Sequence, residues 1–245
     1  MSVKLKIIGC GDAFASGGQH NTCFYVEIEG LKLLIDCGAT PLPALKSHHI
    51  KVEEIDFVLI SHLHGDHFGG LPFIMLDMLR QTRKKKLTII GPAETEQRTW
   101  ALFDLLYPGS KKDIDKDLLH FREYHPEILI SDEAFSVEAF PVIHTPQTYP
   151  HALKVRFGEK TISFSGDTSW CENLINVADG ADIFICECNF FERQTSGHLS
   201  YQEIERYLPE LNSKKIMLTH LGTDMLEKKQ DISLVCLEEG QEITL

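Results

Sequence analysis

The sequence predicts an α/β domain in which two similar halves face one site. Short apolar runs bounded by turn signals alternate with segments of helical periodicity, and no linker or low-complexity stretch interrupts them. Two predicted strands, far apart in the chain, run into the same dipeptide, at His62-Leu63 and at His220-Leu221. This repetition indicates that the two halves bring equivalent strand ends to a common edge.

Each predicted strand is a short apolar run, and the runs lie at 3–9, 22–28, 31–36, 55–60, 87–91, 127–130, 135–143, 152–157, 160–165, 182–187, 215–219 and 242–245. The predicted helices lie at 41–48, 71–82, 93–106, 170–177, 200–207 and 224–229. Glu29-Gly30 and Gly158-Glu159 separate neighbouring strands and predict two hairpins. Ser200 and Glu203 form a capping box, which predicts where the helix at 200–207 begins.

Length and composition fit one domain spanning residues 1–245, with a hydrophobic content of 43% that is sufficient for a sizeable core. The N-terminal run Val3–Ile8 lacks the order of regions found in a signal peptide, and no apolar run reaches membrane-spanning length. We therefore expect a soluble, cytoplasmic protein without a membrane partner. The seven cysteines, an odd number without a Cys-x-x-Cys pair, predict reduced thiols. Cys186 and Cys188 are expected to pack in the core.

The formal net charge of −12 argues against broad nucleic-acid binding, because a polyanion is repelled except where metal ions or local basic residues reverse the field. The segment Arg80–Lys86 is a local exception. Its cations complement the dipole at the end of the preceding helix, which explains them without any ligand. A rim that steers phosphate groups is the alternative interpretation, and the sequence leaves both open.

A histidine-rich segment, His-Leu-His-Gly-Asp-His at 62–67, directly follows a predicted strand. Three imidazoles and a carboxylate at one strand end are costly to desolvate unless something charged pairs with them. The first two histidines can point to one side of an extended segment, whereas the aspartate and the last histidine lie beyond the turn that the glycine permits. This suits two adjacent metal sites, and such ligands without a thiolate indicate zinc, with manganese or iron as alternatives. The candidate ligands are His62, His64, Asp66 and His67.

Three further candidate ligands follow predicted strands, and they are His144, Asp167 and His220. Taken singly, each histidine could be a loop residue with a structural hydrogen bond, and Asp167 could cap a helix. Taken with the first cluster, they predict one shared centre for two metal ions.

The set His62-x-His64-x-Asp66-His67, followed by His144, by Asp167 within Ser-Gly-Asp-Thr and by His220, resembles the metallo-β-lactamase superfamily over nearly the whole chain. Within that superfamily, the chain is most similar to the branch of ribonuclease Z and small phosphodiesterases. The segments that carry this similarity are Ile7–Ala13, Asn21-Thr22, Leu34–Gly38, Gly69–Pro72 and Gly197–Ser200. The resemblance implies a metal-dependent hydrolase of the α/β (α+β) class, built as a four-layer αββα sandwich with the metals at one edge.

The resemblance also implies a ligand set for two divalent metal ions, zinc being the first expectation. One ion would be held by His62, His64 and His144, the other by Asp66, His67 and His220, and Asp167 would be shared. A hydroxide bridging the two ions would attack the substrate.

Roles for other residues follow from the same resemblance. Asp66 would orient the hydroxide and take its proton, and Asp36 would hold a metal-ligating histidine by its far nitrogen. His198 would hydrogen-bond the phosphoryl oxygen or protonate the leaving group. The loop Gln147–His151 either lines the substrate pocket or is a stiff loop with Tyr149 packed inside.

The chain departs from ribonuclease Z between His144 and Asp167. That enzyme carries a long arm there that clamps the tRNA elbow, whereas only 22 residues intervene here, barely enough for a hairpin. A tRNA partner is therefore not expected, and a small phosphodiester, such as a cyclic nucleotide or a nucleotide ester, is the favoured substrate. The alternatives are a hydrolase of a carboxylic ester, lactone or thioester, an RNA 3′-end endonuclease, and a binding protein without activity. A homodimer is suggested by the resemblance alone.

Overall fold

The computed structural model describes residues 2–80, 84–125 and 128–245. Its strands are β1 (Lys4–Gly9), β2 (Cys23–Ile28), β3 (Leu31–Ile35), β4 (Phe57–Leu59), β5 (Leu87–Gly91), β6 (Leu119–Glu123), β7 (Ile130–Ser131), β8 (Ser136–Pro141), β9 (His151–Phe157), β10 (Lys160–Phe164), β11 (Ile183–Glu187), β12 (Ile216–Thr219), β13 (Val235–Cys236) and β14 (Glu242–Thr244). Its α-helices are α1 (Pro41–Ser47), α2 (Gly65–Phe68), α3 (Leu71–Arg80), α4 (Thr95–Leu106), α5 (Asn173–Ala178), α6 (Tyr201–Tyr207) and α7 (Thr223–Lys228). None of the helices in the described ranges is long and apolar enough to cross a membrane.

The strands form two mixed sheets with the same internal pattern. One sheet has the order β14-β1-β2-β3-β4-β5-β6 and the other has the order β13-β12-β11-β10-β9-β8-β7. In each sheet, a run of antiparallel strands is followed by a run of parallel ones, which begins at β3 in the first sheet and at β10 in the second. The two predicted hairpins are present, joining β2 to β3 and β9 to β10.

Three buried apolar clusters define the layers of the fold. The central cluster lies between the sheets, where the ring of Phe24 on β2 meets that of Phe164 on β10 edge to face, with centroids 5.3 Å apart. A second cluster packs α1, α3 and α4 on the first sheet, and a third packs α5, α6 and α7 on the second. Full burial of a large apolar side chain contributes roughly 1.5–3 kcal/mol, so these clusters hold the four layers together. The predicted αββα sandwich is confirmed.

Several elements differ from their prediction. Strand β6 is not predicted, because its sequence Leu-His-Phe-Arg-Glu has no apolar run and it lies at the edge of its sheet. Strand β13, also at an edge, has only two residues. The strand predicted at 127–130 is Ile130-Ser131, and position 127 lies outside the described residues. The helix predicted at 170–177 begins at Asn173.

The basic segment Arg80–Lys86 lies only partly within the described residues. Helix α3 is described as far as Arg80, and residues 81–83, which include the end of the helix predicted at 71–82, lie outside. The ammonium of Lys85 is 2.7 Å from a carboxylate oxygen of Asp56. Lys85 is therefore engaged by its own chain, which favours a structural role for this lysine.

Candidate metal centre

The histidine-rich segment begins as extended chain and closes into one helical turn. His64 is extended (φ −83°, ψ 152°) and is the N-cap of α2, where its carbonyl accepts from the amide of His67 at 3.0 Å. A Cβ at Gly38 would lie 2.0 Å from the carbonyl oxygen of Asp66. The loop after β3 can therefore approach this turn only because that position is glycine.

The first group of candidate ligands combines side chains that follow β4, β8 and β10, and its members are His62, His64, His144 and Asp167. Nδ1 of His64 lies 3.2 Å from Nε2 of His62 and 3.0 Å from Nε2 of His144. One ligand atom from each member lies within 4.8 Å of the others.

The second group shares one member with the first and consists of Asp66, His67, Asp167 and His220. Nε2 of His67 lies 3.1 Å from Oδ2 of Asp66, and Nε2 of His220 lies 3.3 Å from the same oxygen. His220 directly follows β12, so both sheets contribute to the group.

Asp167 lies between the two groups. Its Oδ2 is 3.3 Å from Nε2 of His67 and of His220, 3.8 Å from Nε2 of His62 and 4.0 Å from Nε2 of His144. A single carboxylate is thus in reach of both groups. All seven candidate ligands predicted from the sequence converge, with the grouping that the resemblance implies.

The residues fit divalent cations, and unsatisfied polar atoms provide the test. Nε2 of His67 and Oδ1 of Asp167 are buried and make no hydrogen bond to any described residue. Such orphaned atoms are rare in folded proteins and cost about 1–3 kcal/mol each. The ring nitrogens of His62, His64 and His144 also face one another, and neutral rings present lone pairs there. A divalent cation bound by these side chains would satisfy such atoms.

Burial and neighbouring charges set the protonation of the cluster. Burial lowers the pKa of His62 well below its usual range. Burial alone would raise the pKa values of Asp66 and Asp167, but His67 and His220 outweigh it and lower both. Burial would lower the pKa of His220, but Asp167 and Asp66 raise it to about 9. A divalent cation supplies the positive charge that these carboxylates otherwise draw from imidazolium rings.

Asp36 hydrogen-bonds the ring nitrogen of His67 that faces away from the candidate ligands, as the resemblance implied. Its buried carboxylate lies 2.6 Å from Nδ1 of His67 and accepts from the amide and the hydroxyl of Ser61, both at 2.7 Å. Because Nδ1 donates to Asp36, Nε2 is left to face the candidate ligands. Asp36 has φ 59°, a left-handed conformation that is uncommon outside glycine.

His198 pairs with Glu187, a residue that the sequence analysis missed. The buried carboxylate of Glu187, at the end of β11, is 3.0 Å from Nδ1 of His198 and accepts from the amide of Thr168, also at 3.0 Å. Burial would lower the pKa of His198, but Glu187 outweighs it and raises that pKa. The His198 ring lies beside two candidate ligands, with centroids 4.9 Å from His144 and 5.5 Å from His220. The sequence did carry one sign of a functional role for Glu187, which is a charged residue in an otherwise apolar strand.

The region after His198 forms as predicted. Ser200 is the N-cap of α6, and its hydroxyl accepts from the amide of Glu203 at 3.3 Å. Cys186 and Cys188 are buried in the core, also as predicted. Asn189 is a second residue that the sequence analysis missed, since its amide nitrogen lies 3.2 Å from both Nδ1 and the carbonyl of His220.

The side chain of Tyr149 contacts residues at the start of α4. Its hydroxyl donates to Glu94 at 2.8 Å, and the guanidinium carbon of Arg98 lies 5.5 Å from the centre of its ring. Of the two interpretations of the loop Gln147–His151, a stiff loop with a packed tyrosine agrees with these contacts.

Comparison with known proteins identifies the family. A family profile described as Anti-Pycsar protein Apyc1 matches residues 3–243. The chain belongs to this family. An Apyc1 protein of Paenibacillus harenae is 32% identical over 235 residues, which cover 93% of this chain and 93% of its own.

The Apyc1-family chain also has more distant relatives. YhfI of Bacillus subtilis, described as a probable metallo-hydrolase, is 27% identical over 227 residues, 89% of this chain and 87% of its own. The crystal structure of YhfI, described as a metallo-β-lactamase fold protein, has a TM-score of 0.78 at 23% identity and covers 98% of this chain and 99% of that one. A ribonuclease Z of Clostridium beijerinckii is 24% identical over 279 residues, 93% of this chain and 91% of its own. The chain is accordingly a metallo-hydrolase of the metallo-β-lactamase fold, as predicted.

Proposed function

We propose that the protein is a dinuclear metal-dependent phosphodiesterase that hydrolyses a small phosphodiester, such as a cyclic nucleotide or a nucleotide ester. The observation that carries the proposal is the position of Asp167 between two ligand groups, with the His198–Glu187 pair beside them. Two-metal sites of this kind are typical of phosphatases, nucleases and related hydrolases.

In this proposal each ligand group holds one ion. The first ion would be held by His62, His64 and His144, the second by Asp66, His67 and His220, and Asp167 would serve both. Zinc is the first expectation for imidazole and carboxylate ligands, with manganese or iron as alternatives. When bound, the ions lower the pKa of a water molecule and neutralise charge on the phosphoryl oxygens.

Asp66 is the carboxylate of the ligand set that would orient the attacking water and share its proton through a hydrogen bond. Its side chain is 10% exposed, whereas those of His67 and His220 are 0% and 3% exposed. An entering water therefore meets Asp66 more readily than its neighbours. The low pKa of Asp66 keeps it ionised and able to accept a hydrogen bond from that water.

His198 acts on the phosphoryl oxygen or on the leaving group. Its Nδ1 is engaged by Glu187, so Nε2 is the nitrogen left to meet the substrate. The Glu187 carboxylate raises the pKa of His198 and so favours its protonated form, and 22% of the side chain remains exposed. Nε2 can therefore donate a hydrogen bond to a phosphoryl oxygen or a proton to the leaving group.

A small substrate is supported by the segment between His144 and Asp167. It contains β9 and β10 as a tight hairpin and no long arm. The net charge of −12 also disfavours a large polyanion. A hydrolase of an ester or lactone would need a hydrogen-bond donor for the acyl oxyanion, and His198 and Tyr149 are the two side chains that could serve. The hydroxyl of Tyr149 already donates to Glu94, which leaves only His198 and makes phosphoryl chemistry the favoured reaction.

The proposal is tested with purified protein loaded with zinc or with manganese. The substrates are bis(p-nitrophenyl) phosphate, 2′,3′- and 3′,5′-cyclic nucleotides, a lactone and a precursor tRNA. We expect turnover of the small phosphodiesters by the wild type, loss of turnover in Asp167→Asn, and no effect of Asp117→Asn, which changes an exposed aspartate outside both groups. Turnover of the lactone alone would reject the proposal in favour of an ester hydrolase.

A further inference from the structure

A cleft of about 630 Å³ opens beside the candidate metal centre, and the reaction described above makes no use of it. Its volume is within the roughly 300–1,000 Å³ that small-molecule sites occupy. Its walls come from the loop after β1, the segment after β11 and the start of α7. The lining residues that matter here are Asp12, Phe14, Asn189, Phe190, Arg193 and Gly222.

The cleft borders residues that surround the metal centre. Asn189 contacts His220 at 3.2 Å, as described above, and the ring of Phe190 stands nearly perpendicular to that of His198, with centroids 6.3 Å apart. Two residues of the cleft wall therefore touch the proposed reaction site. The cleft is therefore within reach of the remaining part of a substrate whose phosphate is held at the metal centre.

Phe14 stands at the cleft with 88% of its surface exposed, the largest value among the large apolar side chains of the described residues. Its loop is nevertheless well ordered by hydrogen bonds. The carboxylate of Asp12 accepts from the amide of Phe14 at 3.1 Å, and from the amide and hydroxyl of Ser16 at 2.8 and 2.7 Å. A single exposed ring is common on protein surfaces, but this one shares a cleft with a second aromatic ring and a cation.

That second ring and cation are Phe190 and Arg193. The guanidinium carbon of Arg193 lies 5.3 Å from the ring centre of Phe190, within the range of cation–π contacts. Arg193 is exposed, and over residues 2–80, 84–125 and 128–245 no carboxylate pairs with it. Guanidinium planes and phenyl rings both stack on flat heteroaromatic rings, and the free positive charge suits an anionic ligand.

The polar side chains of the cleft are largely engaged within the protein. The carboxylate of Asp12 is used by its own loop, and that of Asp224 accepts from the amide of Phe191 at 3.0 Å. The hydroxyls of Ser16 and Thr223 lie 3.5 Å from each other. Stacking on the rings, rather than a set of directional hydrogen bonds, is therefore the interaction that this cleft offers.

We propose that the cleft is the subsite for the nucleobase of the substrate, and that Phe14, Phe190 and Arg193 stack on it. This inference rests on the proposed function, because it requires the phosphate of a nucleotide at the metal centre. Base stacking on aromatic side chains changes affinity by about tenfold or more. Phe14 and Phe190 are then specificity residues that select nucleotides over phosphodiesters without a base.

The test uses two pairs of ligands that differ in the base. Calorimetry measures the binding of adenosine 5′-monophosphate and of ribose 5-phosphate to the zinc-loaded protein. Kinetics compare adenosine 3′,5′-cyclic monophosphate with 1-O-methylribose 3′,5′-cyclic phosphate. In the wild type, the base should lower Kd and KM by about tenfold or more.

Phe14→Ala and Phe190→Leu should each remove most of the difference of about tenfold in Kd and KM that the base produces. The Kd of ribose 5-phosphate and the KM of the cyclic phosphate without a base should change far less. Leu105→Ala is the matched control, because Leu105 is an apolar side chain of α4 that is 78% exposed and lies outside the cleft. The control should keep the full advantage of the base. Thermal melts of all three variants establish that each is folded.

The outcomes separate this inference from the function on which it rests. Equal affinity of the wild type for both members of a pair, or variants that keep the advantage of the base, would overturn the subsite even if the cyclic nucleotide is hydrolysed. A wild type that hydrolyses neither these two cyclic phosphates nor any of the phosphodiesters tested above would overturn the proposed function, and calorimetry alone would then decide on the subsite.

Discussion

The backbone carbonyl of Gly197 accepts a hydrogen bond from Nδ1 of His144 at 2.7 Å. This contact leaves Nε2 of His144 to face the first ligand group. The amide of Gly197 donates in turn to the hydroxyl of Ser169 at 2.6 Å, and Ser169 lies two residues after Asp167. One peptide segment therefore orients a candidate ligand and also leads directly into His198.

Gly197→Ala should disturb metal binding through this contact. Gly197 has φ 93°, and a Cβ there would lie 2.7 Å from Nδ1 of His144. We expect backbone strain of about 1–3 kcal/mol and a displaced imidazole, so that the zinc content falls by about one ion per protomer. Urea unfolding measures the first effect and elemental analysis the second.

Gly109→Ala is the matched control for that substitution. Gly109 has φ 82°, but a Cβ there meets nothing within 4 Å. It should lose a comparable free energy of unfolding and keep its zinc. Equal zinc loss in both variants, or none in Gly197→Ala, would contradict a positioning role for Gly197.

His220→Ala should lower the occupancy of one metal site and leave the fold intact. The backbone amide of His220 donates to the carbonyl of Cys10 at 2.9 Å, and this bond does not depend on the side chain. Elemental analysis should find fewer ions than in the wild type, and a chelator should lower the melting temperature of the wild type more than that of the variant, because a bound ligand stabilises the folded state.

His125→Ala, at an exposed histidine outside both groups, is the control for these metal measurements and should match the wild type. Fewer than one ion per protomer in metal-supplemented wild type would refute the two-ion centre itself. Each of these measurements is independent of any substrate.

Precursor tRNA should be cut slowly or not at all, while small phosphodiesters turn over. Between His144 and Asp167 the chain has only the hairpin of β9 and β10, whereas the resemblance to ribonuclease Z would imply a long arm there. The net charge of −12 also repels a large polyanion. Gel analysis of precursor tRNA beside a cyclic-nucleotide assay makes the comparison. Efficient cleavage at the 3′ end would restore the endonuclease alternative.

The convergence of the seven candidate ligands could be predicted because they lie in the segments that follow apolar runs, and the chemistry of imidazole and carboxylate is visible locally. Asp36 was recognised by resemblance and lies where expected, 2.6 Å from His67. Strand β6 was not predictable because its burial falls from Leu119 to the exposed Arg122 and Glu123 without alternation, and its extended structure depends on pairing with β5.

Glu187 and Asn189 were missed for a different reason. Each contacts a histidine more than ten residues away in the chain: Glu187 contacts His198, and Asn189 contacts His220. The local sequence does not indicate these contacts. The cleft beside the centre is equally invisible, since Phe14 and Phe190 come together only through the packing of distant loops. Local chemistry is readable from sequence, but contacts across loops require the fold.

His198→Ala should retain both metals and bind substrate with a similar KM, yet lose about 10²–10³ in kcat on phosphodiesters. His198 belongs to neither of the two proposed ligand sets, so both metals should stay bound. In the proposed reaction its Nε2 faces the negative charge that develops on the phosphoryl group. Loss of one preorganised donor typically lowers kcat by about 10²–10³. Glu187→Gln keeps the side-chain shape but removes the charge and one acceptor oxygen. The remaining oxygen can still accept from His198 and Thr168, while the contact with the amide of Asn189 is lost, so the loss in kcat should be smaller than for His198→Ala.

Asp66→Ala separates this role from that of a ligand, since it should lose activity together with metal. Zinc content, KM and kcat measured on the same preparations of His198→Ala, Glu187→Gln and Asp66→Ala distinguish the two patterns. Should His198→Ala keep full phosphodiesterase activity, no donor would be needed at that position. The assignment to phosphoryl transfer would then lose its main support, and hydrolysis of an ester or lactone would become the better explanation of the same site.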